Sequence, residues 1–158
     1  MAKSAIALWR AADRPSHRGP LLLDTHVWVW MLEGDTSRMS AETPTLMANA
    51  AADGSLYVSD ISSWEVAVKT ARGKLAFSID PLVWLARAER APGVGYVSLD
   101  RNILIQSTRL PGAIHGDPAD RILIATAQLR SMSLVTIDDA IVAYAAGEPG
   151  IPVCDARR

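Results

Sequence analysis

The chain has 158 residues, enough for one domain with a substantial core. Apolar residues make up 49%, as in an ordinary globular protein, and no apolar run is long enough to span a bilayer. The net charge of −1 gives no global attraction for a polyanion, so a stoichiometric nucleic-acid coat is disfavoured. An enzyme that meets nucleic acid through a local basic patch and bound metal remains open.

Met1 to Pro20 carries Lys3, Arg10, Arg14 and Arg18 around the short apolar run Ala5 to Trp9. That run is too short and interrupted for a signal peptide, so residues 1–20 read as a loosely ordered leader ahead of one domain over 21–158. The single cysteine, Cys154, excludes a disulfide within the chain and fits a reducing cytoplasm. In an apolar strand near the C-terminus, it reads as a buried thiol rather than a nucleophile.

Leu21-Leu22-Leu23 is a continuous apolar run that fits a strand buried on both faces of a parallel sheet. Asp24 follows it directly, at the carboxyl edge where open α/β sheets bind ligands. Thr25 is expected to cap a helix through Val27 to Leu32 that ends near Gly34. This helix is apolar almost all round, so it is either deeply buried or partly given to an interface. A second helix is expected over Ser40 to Asp53, followed by the strand Leu56 to Ser59.

Ser62 and Glu65 have capping-box spacing at the start of a helix that ends at Arg72-Gly73-Lys74. Asp80-Pro81 opens a helix through Arg90, Gly95 to Leu99 reads as a strand, and Asp100 to Leu110 as a helix. Asp117-Pro118-Ala119-Asp120 opens the helix Arg121 to Arg130. Ser133 to Thr136 is a strand, Ile137 to Ala146 a short helix, and Ile151 to Cys154 a last strand whose Pro152 points to an edge. Alternating strands and helices predict a three-layer α/β/α domain with a central parallel sheet.

The acids carry the chemistry. Asp24 ends a buried strand beside a separate cap, which favours a functional role. Glu65 could be only a capping-box acid, yet its helix starts at the same sheet edge. Glu65, Lys69 and Arg72 share a helix face, which suits either a metal site with a phosphate path or a solvated ion pair. Asp117 reads as an N-cap, whereas Asp120 opens a largely buried helix and leans functional. With Thr136 as the expected N-cap, Asp139 falls at the capping-box position and Asp138 is left free at a strand end. Acids crowded at one edge raise their own pKa values or recruit a cation, and hard oxygen ligands select Mg²⁺ or Mn²⁺. Such ions support in-line phosphodiester hydrolysis. His17, His26 and His115 are scattered and no Cys-x-x-Cys occurs, which excludes a recognisable zinc motif. No phosphate-loop, dinucleotide or nucleophile-elbow motif is present either.

Four motifs occur in order: Leu22-Leu23-Asp24-Thr25-His26-x-x-x-Trp30; Ser62-x-Trp64-Glu65-x-x-x-Lys69 with Gly73-Lys74-Leu75; His115-x-Asp117-Pro118-x-Asp120-Arg121-x-Leu123-Ile124-Ala125-x-Ala127; and Val135-Thr136-x-Asp138. Together they resemble the PIN domain, and within it the VapC-type toxins of toxin–antitoxin pairs, over roughly Leu21 to Cys154. The resemblance implies a Mg²⁺- or Mn²⁺-dependent endoribonuclease. It also implies an antitoxin that covers the active site, and homodimers or larger assemblies. By motif, Asp24, Glu65, Asp120 and Asp138 match the four metal-site acids, with Asp117 and Thr136 as accessories. Lys69, Arg72, Lys74 and Arg121, or Arg101, are candidate RNA contacts. The apolar helix after Asp24 becomes a candidate surface for the antitoxin or a second subunit. A catalytically inactive PIN-like scaffold is the alternative. A receiver-type signalling module fits less well, because no lysine follows Lys74.

Overall fold

The computed structural model describes residues 19–112, 116–148 and 150–158. Met1 to Arg18, most of the expected leader, and His115 lie outside the described residues. Five strands form one parallel sheet: β1 (Leu21–Leu23), β2 (Leu56–Ser59), β3 (Val94–Val97), β4 (Ser133–Thr136) and β5 (Val153–Asp155). Their order across the sheet is β3-β2-β1-β4-β5. The expected apolar runs became these strands, and Pro152 precedes an edge strand, as its missing N–H requires.

Seven helices are present among the described residues: α1 (Thr25–Glu33), α2 (Thr43–Ala52), α3 (Asp60–Ala71), α4 (Pro81–Ala88), α5 (Arg101–Ser107), α6 (Pro118–Leu129) and α7 (Asp139–Gly147). None is long and apolar enough to cross a membrane. Gly34 ends α1 in the left-handed region, at φ 71°, where its N–H reaches the Met31 carbonyl while Asp35 N–H reaches that of Trp30.

The sheet separates two apolar cores. On one side Leu21 and Leu23 pack with Val27, Trp28, Met47, Val66 and Trp84, from α1, α2, α3 and α4. On the other, Leu22 packs with Ile103, Leu123, Ile124 and Ile141, from α5, α6 and α7. Helix α3 serves both, with Ile61 in the second core and Val66 in the first. Three consecutive leucines thus feed two cores, because successive strand side chains point to opposite faces.

Helix α1 spends most of its apolar surface inside: Val27, Trp28 and Val29 are buried, while Trp30, Met31 and Leu32 are half-buried. Trp28 meets Trp84 edge-on at 5.3 Å, and Phe77 stacks on Trp84 at 4.4 Å. Trp84 Nε1 donates to Glu33 Oε1 at 2.6 Å, but the buried Trp28 Nε1 has no hydrogen-bond partner among the described residues. That unmet donor costs free energy, which the aromatic burial offsets.

Several cap residues differ from expectation. Ser59 caps α3 by accepting from Ile61 N–H, so the helix begins before Ser62, which lies inside it, and Glu65 is one turn beyond any capping box. Asp24, not Thr25, is the N-cap of α1, and Asp138, not Thr136, is that of α7. In each case the neighbouring hydroxyl is taken by a partner distant in sequence, which leaves the cap position to another residue. Asp80, Asp100 and Asp117 cap α4, α5 and α6 through their side chains.

Leu22 is fully buried and Leu82 is 73% exposed. Leu22→Ala should therefore cost about 2–5 kcal/mol, while Leu82→Ala should stay within about 0.5 kcal/mol of the unaltered chain, read by urea unfolding.

Candidate active site

Strand β1 has β2 on one side and β4 on the other, so the chain order reverses between β1 and β4. That switch point opens a crevice at the carboxyl ends of the strands. Asp24 sits at the end of β1, and Thr136 and Asp138 at the end of β4. Asp120 arrives on the first turn of α6 and Glu65 on α3, which packs against both α1 and α6.

Asp24 is 4% exposed. Unlike the acids that cap α4 to α7, its side chain makes no cap bond to its own helix. Instead Thr136 Oγ1 donates to Asp24 Oδ2 at 2.5 Å, and the same hydroxyl oxygen accepts from Asp138 N–H at 3.0 Å. Burial pushes the Asp24 carboxyl up; the Thr136 hydrogen bond and the charge of His26 oppose this, and the charge of Glu65 adds to it.

Glu65 is 7% exposed. Its Oε1 accepts from Thr25 Oγ1 at 2.7 Å, and its Oε2 pairs with Lys69 Nζ at 2.7 Å. Thr25 Oγ1 also lies 2.9 Å from Ser62 Oγ. Asp120 is pushed up to about 8, first by burial and then by the charges of Asp24, Asp117, Asp138 and Glu65. The other three predicted acids and Asp117 thus all act on Asp120, and Glu65 also acts on Asp24. Asp117 and Asp138 each also serve as helix caps: Asp117 Oδ1 accepts from Ala119 N–H, and Asp138 Oδ1 from Ala140 and Ile141 N–H.

Among the described residues, no three acidic, histidine or cysteine side chains already close on a single point. Like charges hold one another apart, and Asp24 and Glu65 are each tethered by a hydroxyl. The donor set nevertheless fits a hard divalent cation: four carboxylates, crowded enough to repel, at the carboxyl edge of the sheet.

Of the candidate RNA contacts, Lys69 is engaged with Glu65, and Arg72 and Lys74 are exposed at the end of α3. Arg101 is exposed on α5. Arg121 Nε donates to the Ser107 carbonyl at 2.9 Å, tying α6 to the end of α5. His26 is exposed and its ring lies against Trp30. Asp139 forms an ion pair with Arg157 at 2.7 Å, and the cysteine thiol of Cys154 is buried. Sequence reasoning missed the Thr25 hydroxyl as a partner of Glu65, and Ser62 as a partner of Thr25. The available signal was a hydroxyl residue abutting an acid, which was taken up by local capping.

A doubly wound α/β/α domain with four acids facing its switch point is the architecture of a PIN domain. The PIN-domain family matches residues 21–147, and the chain belongs to that family. It is similar to Ribonuclease VapC22 of Mycobacterium tuberculosis, 31% identical over 118 residues that cover 75% of this chain and 86% of the relative. The fold is shared with a DNA-bound VapBC from Salmonella typhimurium, with TM-score 0.60, 16% identity, and coverage of 87% of this chain and 98% of the other. It is also shared with VapBC2 of Rickettsia felis bound to a promoter DNA fragment, with TM-score 0.61, 14% identity, and coverage of 85% and 96%.

The raised Asp120 carboxyl has a stability consequence. Its folded value of about 8 lies above the ordinary 3.8, so the unfolded chain loses this proton first and stability falls as pH rises from about 4 to 8. Without added cations, Asp120→Asn should melt above the unaltered chain, by a margin that grows across that window and levels off beyond it. Thermal melts at several pH values check this.

Proposed function

We propose that this protein is a metal-dependent endoribonuclease, the toxin of a toxin–antitoxin pair, and that Asp24, Glu65, Asp120 and Asp138 hold Mg²⁺ or Mn²⁺. The observation that carries the reading is the mutual electrostatic action of these acids at the β1/β4 crevice, centred on Asp120. Similarity to a ribonuclease VapC supports the RNA substrate.

A divalent cation in this site would supply positive charge at the scissile phosphate and make a water acidic enough to attack. The chain's own residues prepare that place. Thr136 donates to Asp24 Oδ2 and so favours its ionised form against the burial that opposes it. Lys69 neutralises the outer oxygen of Glu65. Arg72 and Lys74, exposed just beyond Lys69, lie where they can contact flanking phosphates of the RNA. Arg121 serves the fold through its bond to Ser107, and Arg101 is a peripheral candidate. Asp117 and Thr136 act as accessories, one by starting α6 and the other by joining Asp24 to the Asp138 backbone.

The fold shared with the VapBC assemblies supports an antitoxin as partner. We assign it the active-site edge and, as a further surface, the cavity of about 280 Å³ between α1 and α4 lined by Leu32, Glu33, Ile79, Trp84 and Arg87. Leu82 and Val83 are exposed on the same helix, α4. A homodimer or larger assembly and a cytoplasmic location complete the reading.

Asp24→Asn should lower Mn²⁺-dependent RNA cleavage by at least about a hundredfold, since even outer partners of metal ligands are worth about 10- to 100-fold. Cleavage by the variant at the unaltered rate would refute the assignment. Absence of Mn²⁺ binding by the unaltered chain would favour the inactive scaffold.

A further inference from the structure

We propose that Thr25 and Ser62 are positioning residues for Glu65, forming a buried pair of hydroxyls that turns its carboxylate toward Asp24 and Asp120. The inference rests on the metal-site reading above.

The geometry is specific. Thr25 is 1% exposed and Ser62 is fully buried, and their oxygens are 2.9 Å apart. Thr25 Oγ1 has one proton and two acceptors within reach, Ser62 Oγ and Glu65 Oε1. The carboxylate is the stronger and nearer acceptor, so Glu65 Oε1 takes the main share of that proton at 2.7 Å, with Ser62 Oγ as the second acceptor at 2.9 Å. Ser62 thereby holds the Thr25 hydroxyl against α3, the helix that carries Glu65.

Other helical hydroxyls in this chain behave differently. Thr70 bonds back to the Val66 carbonyl and Thr126 to that of Ile122, the usual habit of such residues inside helices. Ser62 and Thr25 instead join α3 to α1, across a separation of 37 residues. A buried hydroxyl is costly without a partner, so Thr25 needs the Glu65 carboxylate as much as it orients it, and Ser62 needs Thr25.

They also counter a pull. Lys69 holds Glu65 Oε2 from the same helix, and its side chain is 26% exposed on a flexible stem. Left alone, that pair would lead the carboxylate along the α3 surface toward water. The Thr25 hydroxyl anchors the other oxygen at the residue after Asp24, so two acids distant in sequence take their positions from adjacent residues.

The test uses the full chain with Thr25→Val, Thr25→Ser and Ser62→Ala. Calorimetric Mn²⁺ titration reads binding, and the ¹³C carboxyl resonance of Glu65 reads its environment without metal. Thr25→Val should weaken Mn²⁺ binding about 10- to 100-fold and move the resonance, as expected for loss of a partner to a metal ligand. Ser62→Ala should do both to a smaller extent, and Thr25→Ser should restore both. Unchanged affinity and resonance in Thr25→Val, or a Thr25→Ser protein as impaired as Thr25→Val, would overturn the proposal. If Thr25→Val does not fold, an unshifted resonance in Ser62→Ala overturns it and a shifted one supports it. If the unaltered chain binds no Mn²⁺, the metal reading fails by itself, and the resonance alone then decides whether the hydroxyls orient Glu65.

Discussion

The structure is arranged around the mutual repulsion of carboxylates at the ends of β1 and β4. Asp120 records it most clearly, with its carboxyl pushed up by burial and by four neighbouring acids. A fold that gathers such charges must hold each one from outside the cluster. Thr136 does this for Asp24, Thr25 and Lys69 for Glu65, and helix N–H groups for Asp117 and Asp138. These donors come from different elements, so the cluster depends on correct packing of the whole domain.

That packing has a simple source. The central strand is buried on both faces, with helices α1, α2 and α4 over one and α5, α6 and α7 over the other. Helix α3 contributes to both cores and so reaches the sheet edge with Glu65 turned inward. Apolar burial of roughly 25 cal/mol per Å² sets these layers, and the weaker polar bonds then fix side-chain direction within them.

The fold was legible from the sequence because continuous apolar runs such as Leu21 to Leu23 have few alternatives to a buried parallel strand. The acids Asp24 and Asp138 drew attention because each follows such a run. Helix starts were harder to read. Where Asp24 meets Thr25, or Thr136 precedes Asp138, either neighbour can serve as cap, and local sequence does not decide between them. The decision comes from contacts across the fold: Thr136 turns to Asp24, and Thr25 to Glu65. Ser62 was misassigned for the same reason, since its partner lies 37 residues away. The Glu65–Lys69 pair, by contrast, follows from i, i+4 spacing alone.

The three leucines of β1 divide their side chains between two cores, Leu21 and Leu23 to one and Leu22 to the other. Changes of size at these positions alter packing by degrees. A change of length does not, because loss or gain of one residue would exchange the cores served by every later side chain in the strand and carry Asp24 to the wrong face. The segment from Pro20 to Asp24 is therefore one in which insertions and deletions are far less tolerable than substitutions.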